Sequence, residues 1–238
     1  MGRAYAVREK KIKENGASKG KLYTSYAKEI FACCKKGGTD IEANSSLRRL
    51  IQKAKKDQIP QDIINRAIDK ASGAGKDEYH EVIYEGFGPG SSTFIIKTLT
   101  DNVNRTVGEV RAAFNKMGKS LGVTNSVSYN YDNLSIFSFK GLSEDEVLNA
   151  LIDAGVEPID VEDNDGEITV TVKYQDGNAA KEAIEKVLKN VDYDIDESGW
   201  YPKETVTLEG EDLEHFKVLC NLLDDIDDVT DYFHNVEL

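Results

Sequence analysis

The chain has 238 residues, a formal net charge of −13, 39% hydrophobic residues and 31% charged residues. No apolar run approaches the roughly 18 residues of a membrane span. The polar amino terminus lacks the apolar core of a signal peptide. The chain has three cysteines, and this odd number argues against a disulfide framework. We therefore expect a cytoplasmic protein without disulfides and without a membrane partner.

The charge is distributed unevenly along the chain. Residues 1–76 hold 18 Lys and Arg against 8 Asp and Glu, a net +10, whereas residues 77–238 hold 12 against 35, a net −23. Basic modules of this kind commonly neutralise phosphates, while acidic ones disfavour indiscriminate binding. An ordinary solvated basic face is the alternative, but the confinement of the surplus to one end favours nucleic acid.

The amino-terminal third is predicted to be helical and basic. Residues 1–20 are rich in Lys, Gly, Asn and Ser and are interpreted as a basic arm. Residues 21–76 show three apolar stripes at helical spacing, with Gly37-Gly38 ending the first helix and Pro60 starting the third. We therefore predict a small three-helix domain.

From residue 77 the hydrophobic period shortens to that of strands. The predicted elements are strands 81–85 and 92–100, a helix around 107–117, strand 127–131, strand 135–139, helix 143–154, strands 157–163 and 167–174, helix 178–189, strand 191–198, strand 204–208, helix 211–225 and strand 229–236. The middle run has the complete βαββαβ order. The predicted fold is α+β: a three-helix domain, then two ferredoxin-like (βαββαβ) domains, with the third (134–202) inserted into the second (77–133 plus 203–238).

Catalytic patterns are scarce. The histidines lie far apart, Cys33-Cys34 falls on the apolar side of a helix, and the glycines of 86–90 lie between strands rather than opening a helix. The acidic run 224–228 follows a helix and is interpreted as a solvated helix end, with a cation site as the minor alternative. We predict a non-enzymatic protein with no catalytic residue, no metal and no cofactor.

The segment 101–111 joins a strand to a helix and is a candidate anion or interdomain site. Backbone N–H groups at a helix start favour an anion, Asn104 can cap the helix, and an arginine adds a planar fork. The candidate residues are Asn102, Asn104, Arg105, Thr106 and Arg111. The equally weighted alternative is an N-cap with structural Arg–carboxylate pairs to Glu109 or Glu85.

A nucleic-acid partner would meet the basic residues of the arm and of the helical domain through phosphate contacts. The candidate binding residues are Arg3, Arg8, Lys10, Lys11, Lys13, Lys19, Lys21, Arg48, Arg49, Lys53, Lys56 and Arg66. Lys35, Lys36 and Lys55 extend the same surface.

Several stretches occur in a specific order along the chain. They are Gly2-Arg3 with the basic arm, Asn65-Arg66-Ala67-Ile68, Tyr84-Glu85-Gly86-Phe87-Gly88-Pro89-Gly90, Asp101-Asn102-Val103-Asn104-Arg105-Thr106 with Glu109-Val110-Arg111, and Phe233-His234-Asn235. Together they resemble the YebC family of bacterial and mitochondrial regulatory proteins. The chain lacks that family's Ala-Gly-His-Ser-Lys-Trp opening, so it is similar to the YeeN-like branch.

The resemblance implies three domains and a non-enzymatic role in gene expression. Family members are commonly described as DNA-binding transcriptional regulators. Others, including the mitochondrial translational activator of cytochrome oxidase, act with the ribosome and help translation through proline-rich stretches. The implied partner is DNA or ribosomal or transfer RNA, with the ribosome as a further candidate. The competing interpretation is an acidic protein-interaction scaffold with no direct nucleic-acid role.

Overall fold

The structure, a computed structural model, describes residues 19–73 and 79–237. The elements in chain order are α1 (Lys19–Gly37), α2 (Ser45–Lys56), α3 (Gln61–Ser72), β1 (His80–Phe87), β2 (Thr93–Thr100), α4 (Val103–Lys116), β3 (Ser120–Leu121), β4 (Tyr131–Lys140), α5 (Glu144–Asp153), β5 (Asp160–Asn164), β6 (Glu167–Lys173), α6 (Gly177–Val187), β7 (Ile195–Pro202), α7 (Gly210–Asp224) and β8 (Val229–His234). No described helix is long and apolar enough to cross a membrane. The chain divides into two compact units, residues 133–200 and the described residues before and after them.

Helices α1 to α3 pack around one apolar core, and they coincide with the predicted apolar stripes. Ile30 and Ile64 are fully buried in that core. Helix α2 begins where the side chain of Asn44 accepts a hydrogen bond from the backbone N–H of Leu47. Pro60 immediately precedes α3, where the N–H that proline lacks would have no helical partner.

The first sheet has the strand order β3-β1-β2-β8, and every neighbouring pair is antiparallel. Helices α4 and α7 contribute Phe114 and Phe216 to a core around Phe94 of β2. A Cβ at Gly86 would overlap the ring of Phe114, so this glycine allows α4 to approach β1. Gly90 turns the chain into β2 with a φ of +58°. Packing and turn geometry therefore account for these two glycines.

The chain order in this first sheet differs from the predicted βαββαβ order. A β1–β2 hairpin comes first, α4 and β3 follow, and α7 and β8 complete the sheet after residues 133–200. The predicted strand 127–131 was wrong. Its start is a loop and a 3-10 turn, because the Glu85 carboxylate binds backbone N–H groups that a strand would pair. The predicted strand 204–208 makes a single bridge, between Val206 and Val236.

Residues 133–200 carry the second sheet, with strand order β5-β6-β4-β7. Their chain order is β4-α5-β5-β6-α6-β7, which is the predicted βαββαβ order. Helix α5 begins with a capping box between Ser143 and Glu146. Phe137, Leu151 and Ile184 are fully buried in the core of this unit.

Candidate nucleic-acid interface and the Asp228 cluster

The basic residues predicted to bind nucleic acid fall into distinct environments. Those outside the described residues are Arg3, Arg8, Lys10, Lys11 and Lys13, whereas Lys19 is the first residue of α1. Lys56 and Arg66 are exposed, while Lys21, Arg48 and Lys53 are half-buried. Arg49 is 5% exposed, so its side chain is not presented on the outer surface of α2.

The exposed cations of the helical part lie mainly in the last turns of its helices. They are Lys35, Lys36, Lys55, Lys56, Arg66 and Lys70. Arg66 pairs with Asp62 at 2.5 Å, but the two side chains are 76% and 61% exposed. An exposed pair at this spacing contributes only about 0.3–0.5 kcal/mol, so it does not withdraw Arg66 from a polyanion.

Two lysines of α1 contact the carboxyl end of α7. Lys21 Nζ donates to the backbone carbonyls of Leu223 at 3.2 Å and Asp224 at 2.6 Å. Lys28 Nζ donates to the carbonyl of Asp227 at 2.8 Å. The last carbonyls of a helix lack helical partners, and lysine ammonium groups satisfy them. Burial lowers the pKa of Lys21, against the opposing effect of Asp224. Lys21 thus makes an internal contact.

Asp228 lies at the centre of a buried polar cluster. It is 3% exposed, and its Oδ1 accepts a hydrogen bond from Lys28 Nζ at 2.8 Å. Its Oδ2 accepts from Arg105 Nη2 at 2.5 Å, Thr106 Oγ1 at 2.8 Å and Thr100 Oγ1 at 3.0 Å. Burial disfavours the charged carboxylate, but these donors outweigh it and hold the pKa of Asp228 well below its usual range.

The candidate anion site at the start of α4 therefore holds a carboxylate of the chain itself. Arg105 pairs with Asp228 and, at 2.8 Å, with Asp101, rather than with Glu109 or Glu85. Structural Arg–carboxylate pairs, the alternative interpretation, are therefore present, but the carboxylates are Asp228 and Asp101.

The cap of α4 also differs from the predicted one. The side chain of Asn102, not Asn104, accepts a hydrogen bond from the backbone N–H of Arg105 at 3.1 Å. Asn104 and Arg111 are exposed. Arg111 lies six residues after Arg105, and among the described residues no ion pair or hydrogen bond joins it to the cluster. The structure thus brings Asn102, Arg105 and Thr106 together and leaves the other two candidates apart.

The acidic run after α7 is divided by burial. Asp224, Asp225 and Asp227 are exposed, as expected for a solvated helix end, but Asp228 is buried. This role of Asp228 has no local signal in the sequence because its partners are distant in the chain: Arg105 is separated from it by 123 positions and Lys28 by 200.

A cavity of about 680 Å³ opens beside the cluster, between α1, α4 and the turn from α7 to β8. Lys28, Arg105 and Asp228 lie in its wall, together with Glu109 and Lys116. Positive and negative side chains both line the cavity. The buried carboxylate of Asp228 is already paired with Lys28 and Arg105.

Glu85 is a second buried carboxylate, and its partners lie 40 to 43 positions further along the chain, where no local pattern indicates them. It is 6% exposed and accepts backbone N–H groups of Asn125 at 2.8 Å, Val127 at 2.7 Å and Ser128 at 2.9 Å. Burial opposes its ionisation, but the three N–H donors prevail and lower the pKa of Glu85. Glu85 therefore anchors the loop before β4.

Cys34, Cys220 and His234 are part of the packing. Burial raises the pKa of Cys34 to about 11 and that of Cys220 to about 12, so both thiols are protonated at neutral pH. His234 packs against Phe94 and Phe216. In residues 19–73 and 79–237, no three His, Cys, Asp or Glu side chains are grouped so that they could hold a metal ion.

Comparison with protein families assigns both parts of the chain. The TACO1/YebC amino-terminal domain matches residues 3–74, and the TACO1/YebC second and third domains match residues 79–236. The chain belongs to the TACO1/YebC family.

Relatives match over the full length. A protein of Marinobacter nauticus is 43% identical over 238 residues, covering 100% of this chain and 99% of the relative, and a protein of Marinomonas sp. is 41% identical over 237 residues, covering 100% of each. Both are named probable transcriptional regulatory proteins. A solved structure of a conserved hypothetical protein from Aquifex aeolicus is similar, with a TM-score of 0.67 and 33% identity over 93% of this chain and 91% of that one.

Proposed function

We propose that this protein is a nucleic-acid-binding regulator of gene expression that performs no catalytic step. The observation that carries the proposal is the exposed cationic surface of α1 to α3, set against the acidic remainder of the chain. Such a surface binds phosphates by releasing their counterions. The names of the relatives support a regulatory role for this family.

A purely local explanation for the lysines accounts for part of this pattern. Cations in the last turn of a helix interact favourably with the helix dipole, and Lys35, Lys36, Lys55, Lys56 and Lys70 all occupy such turns. However, the last turns of α4 and α6 carry only one basic residue each, Lys116 and Lys186, and those of α5 and α7 carry none. Helix termini alone therefore do not explain why the surplus is confined to the amino-terminal part.

The accessible residues favour phosphate contacts over base reading. A recognition helix needs several donors that reach base edges. On α2, Arg49 is buried and Arg48 and Lys53 are half-buried, which leaves Gln52, Lys55 and Lys56 exposed. We therefore propose binding that depends little on sequence, to DNA or to ribosomal or transfer RNA, in keeping with either a transcriptional or a ribosome-associated role.

The test is charge reversal in the full-length chain. Lys55→Glu with Lys56→Glu should weaken binding to labelled duplex DNA, to a structured RNA or to purified ribosomes by about tenfold or more at low salt, and should reduce the salt slope by about two. Titrations over a salt series measure both quantities, and the polyanion with the largest loss identifies the target class.

The matched control is Lys186→Glu with Lys189→Glu, which makes the same change of net charge at exposed positions within residues 133–200. It should change affinity by less than about twofold, because these lysines lie outside the basic surface. Equal losses in both double variants would contradict the proposed interface. If the wild-type chain bound none of the three polyanions, the protein-interaction scaffold would replace this proposal.

A further inference from the structure

We propose that the carboxyl end of α7 and nucleic acid compete for α1, so that binding of a polyanion releases α1 from the turn between α7 and β8. This inference rests on the proposed function and adds a conformational response to it. We call the contacts of Lys21 and Lys28 with residues 223–228 the α1 clamp.

The α1 clamp is formed by one face of one helix. Lys21 and Lys28 are seven residues apart, which is about two helical turns, so both side chains leave α1 on the same side. Their side chains are only 18% and 11% exposed, in contrast to 79% for Lys36 near the other end of α1. The clamp therefore withdraws two cations of α1 from contact with phosphates.

The two contacts of the clamp differ in depth. Lys28 pairs at 2.8 Å with Asp228, whose side chain is 5% exposed. Lys21 pairs at 3.8 Å with Asp224, whose side chain is 49% exposed. Solvent and salt screen the outer pair far more than the buried one. We therefore expect release to begin at Lys21.

Charge complementarity identifies the competitor. Lys21 Nζ lies 3.8 Å from Asp224 Oδ1, and the charges of Asp224, Asp225 and Asp227 all favour the protonated lysine, so these acids would repel a phosphate backbone approaching the clamped lysine. Phosphates can replace Asp224 as the partner of Lys21, and the exposed acids would then favour separation.

The first measurement compares two doubly neutralised full-length variants. Asp224→Asn with Asp225→Asn removes charge beside Lys21, and the amide at 224 retains an acceptor for the Tyr232 hydroxyl, which lies 3.3 Å from Asp224 Oδ2. Glu211→Gln with Glu214→Gln removes the same charge from the first turns of α7, where both side chains are well exposed at 86% and 69%. With labelled duplex DNA and RNA at low salt, the first variant should bind about fivefold more tightly than the control. Equal affinities would overturn the competition.

The second measurement needs no nucleic acid. Hydrogen exchange of the α1 amides should be about threefold faster in the Asp224→Asn, Asp225→Asn variant than in the control, because the outer contact is weakened. Identical exchange in both variants would overturn the proposed release of α1 at its outer contact. Faster exchange combined with no binding of any polyanion to the wild-type chain would instead show that the clamp exists and that the proposed function fails, and the competition would fail with it.

Discussion

Asp228 and Glu85 are both buried carboxylates, but their partners are of opposite kinds. The partners of Asp228 are two cations and two hydroxyl groups, contributed by α1, the end of β2 and α4. The partners of Glu85 are three backbone N–H groups of one loop. Both arrangements keep the carboxylate ionised, as the lowered pKa of each shows.

The comparison shows how the source of the donors decides what a buried charge does for a fold. The backbone N–H groups that bind Glu85 belong to Asn125, Val127 and Ser128, which are neighbours in the chain. Glu85 therefore determines the conformation of a single segment. Side-chain cations come from separate elements, so Asp228 connects α1 and α4 to the start of β8. Losing Asp228 would also leave two cations without their buried partner, whereas losing Glu85 leaves only neutral donors unsatisfied.

The largest effect is therefore expected for Asp228→Asn. We expect a loss of about 3 kcal/mol in the free energy of unfolding, because Lys28, whose side chain is only 11% exposed, loses its carboxylate, while Arg105 keeps Asp101. Denaturant titration of the full chain measures it. The control is Asp101→Asn, which removes the 53% exposed partner of Arg105 and should cost no more than about 1 kcal/mol. Similar losses in both variants would remove the distinction between the buried and the exposed partner.

A smaller loss is expected for Glu85→Gln. The remaining carbonyl oxygen can keep part of the N–H contacts while the new NH₂ opposes the others, which predicts a cost of about 1.5–3 kcal/mol. The same titration measures it, with Glu109→Gln on the exposed side of α4 as the control. If Glu85→Gln cost more than Asp228→Asn, backbone donors would matter more here than cationic ones.

The pH dependence gives the finest comparison of the two sites. A carboxyl whose pKa is lowered by folding stabilises the fold above its unfolded pKa of about 3.9 for Asp or 4.3 for Glu, and this contribution is lost as the pH falls through the folded value. The stability differences between wild type and Asp228→Asn, and between wild type and Glu85→Gln, should thus be constant near neutral pH and shrink below about pH 4. A difference that stays unchanged down to pH 2 would contradict ionisation as its cause.

Several elements could be predicted from local sequence. The stripes of α1 to α3 match the observed helices, and residues 133–200 have the predicted βαββαβ order. The local sequence pattern predicted the wrong element where a side chain distant in the chain binds the backbone N–H groups. Val127 to Tyr131 is β-branched and aromatic at alternate positions, yet Glu85 holds the start of this segment as a loop.

The candidate site shows the same division. Burial separated the predicted basic residues: Lys56 and Arg66 are on the surface, while Arg49 is buried and Lys21 binds the end of α7. The segment 101–111 was predicted as an anion or interdomain site, and in the structure its Arg105 pairs with the carboxylate of Asp228. Nothing near Asp228 in the chain indicates this, because its partners come from other elements.

The sequence by itself determined the charge asymmetry, the helical periods of the first part, the order of elements in residues 133–200 and the membership in the TACO1/YebC family. These properties depend on composition, on spacing within one element and on the order of motifs. Only the tertiary structure decided which lysines face solvent, which carboxylates are buried and which residue completes the site at the start of α4. Burial and ion pairing depend on contacts between residues that are distant in the chain, and local sequence patterns do not predict these contacts.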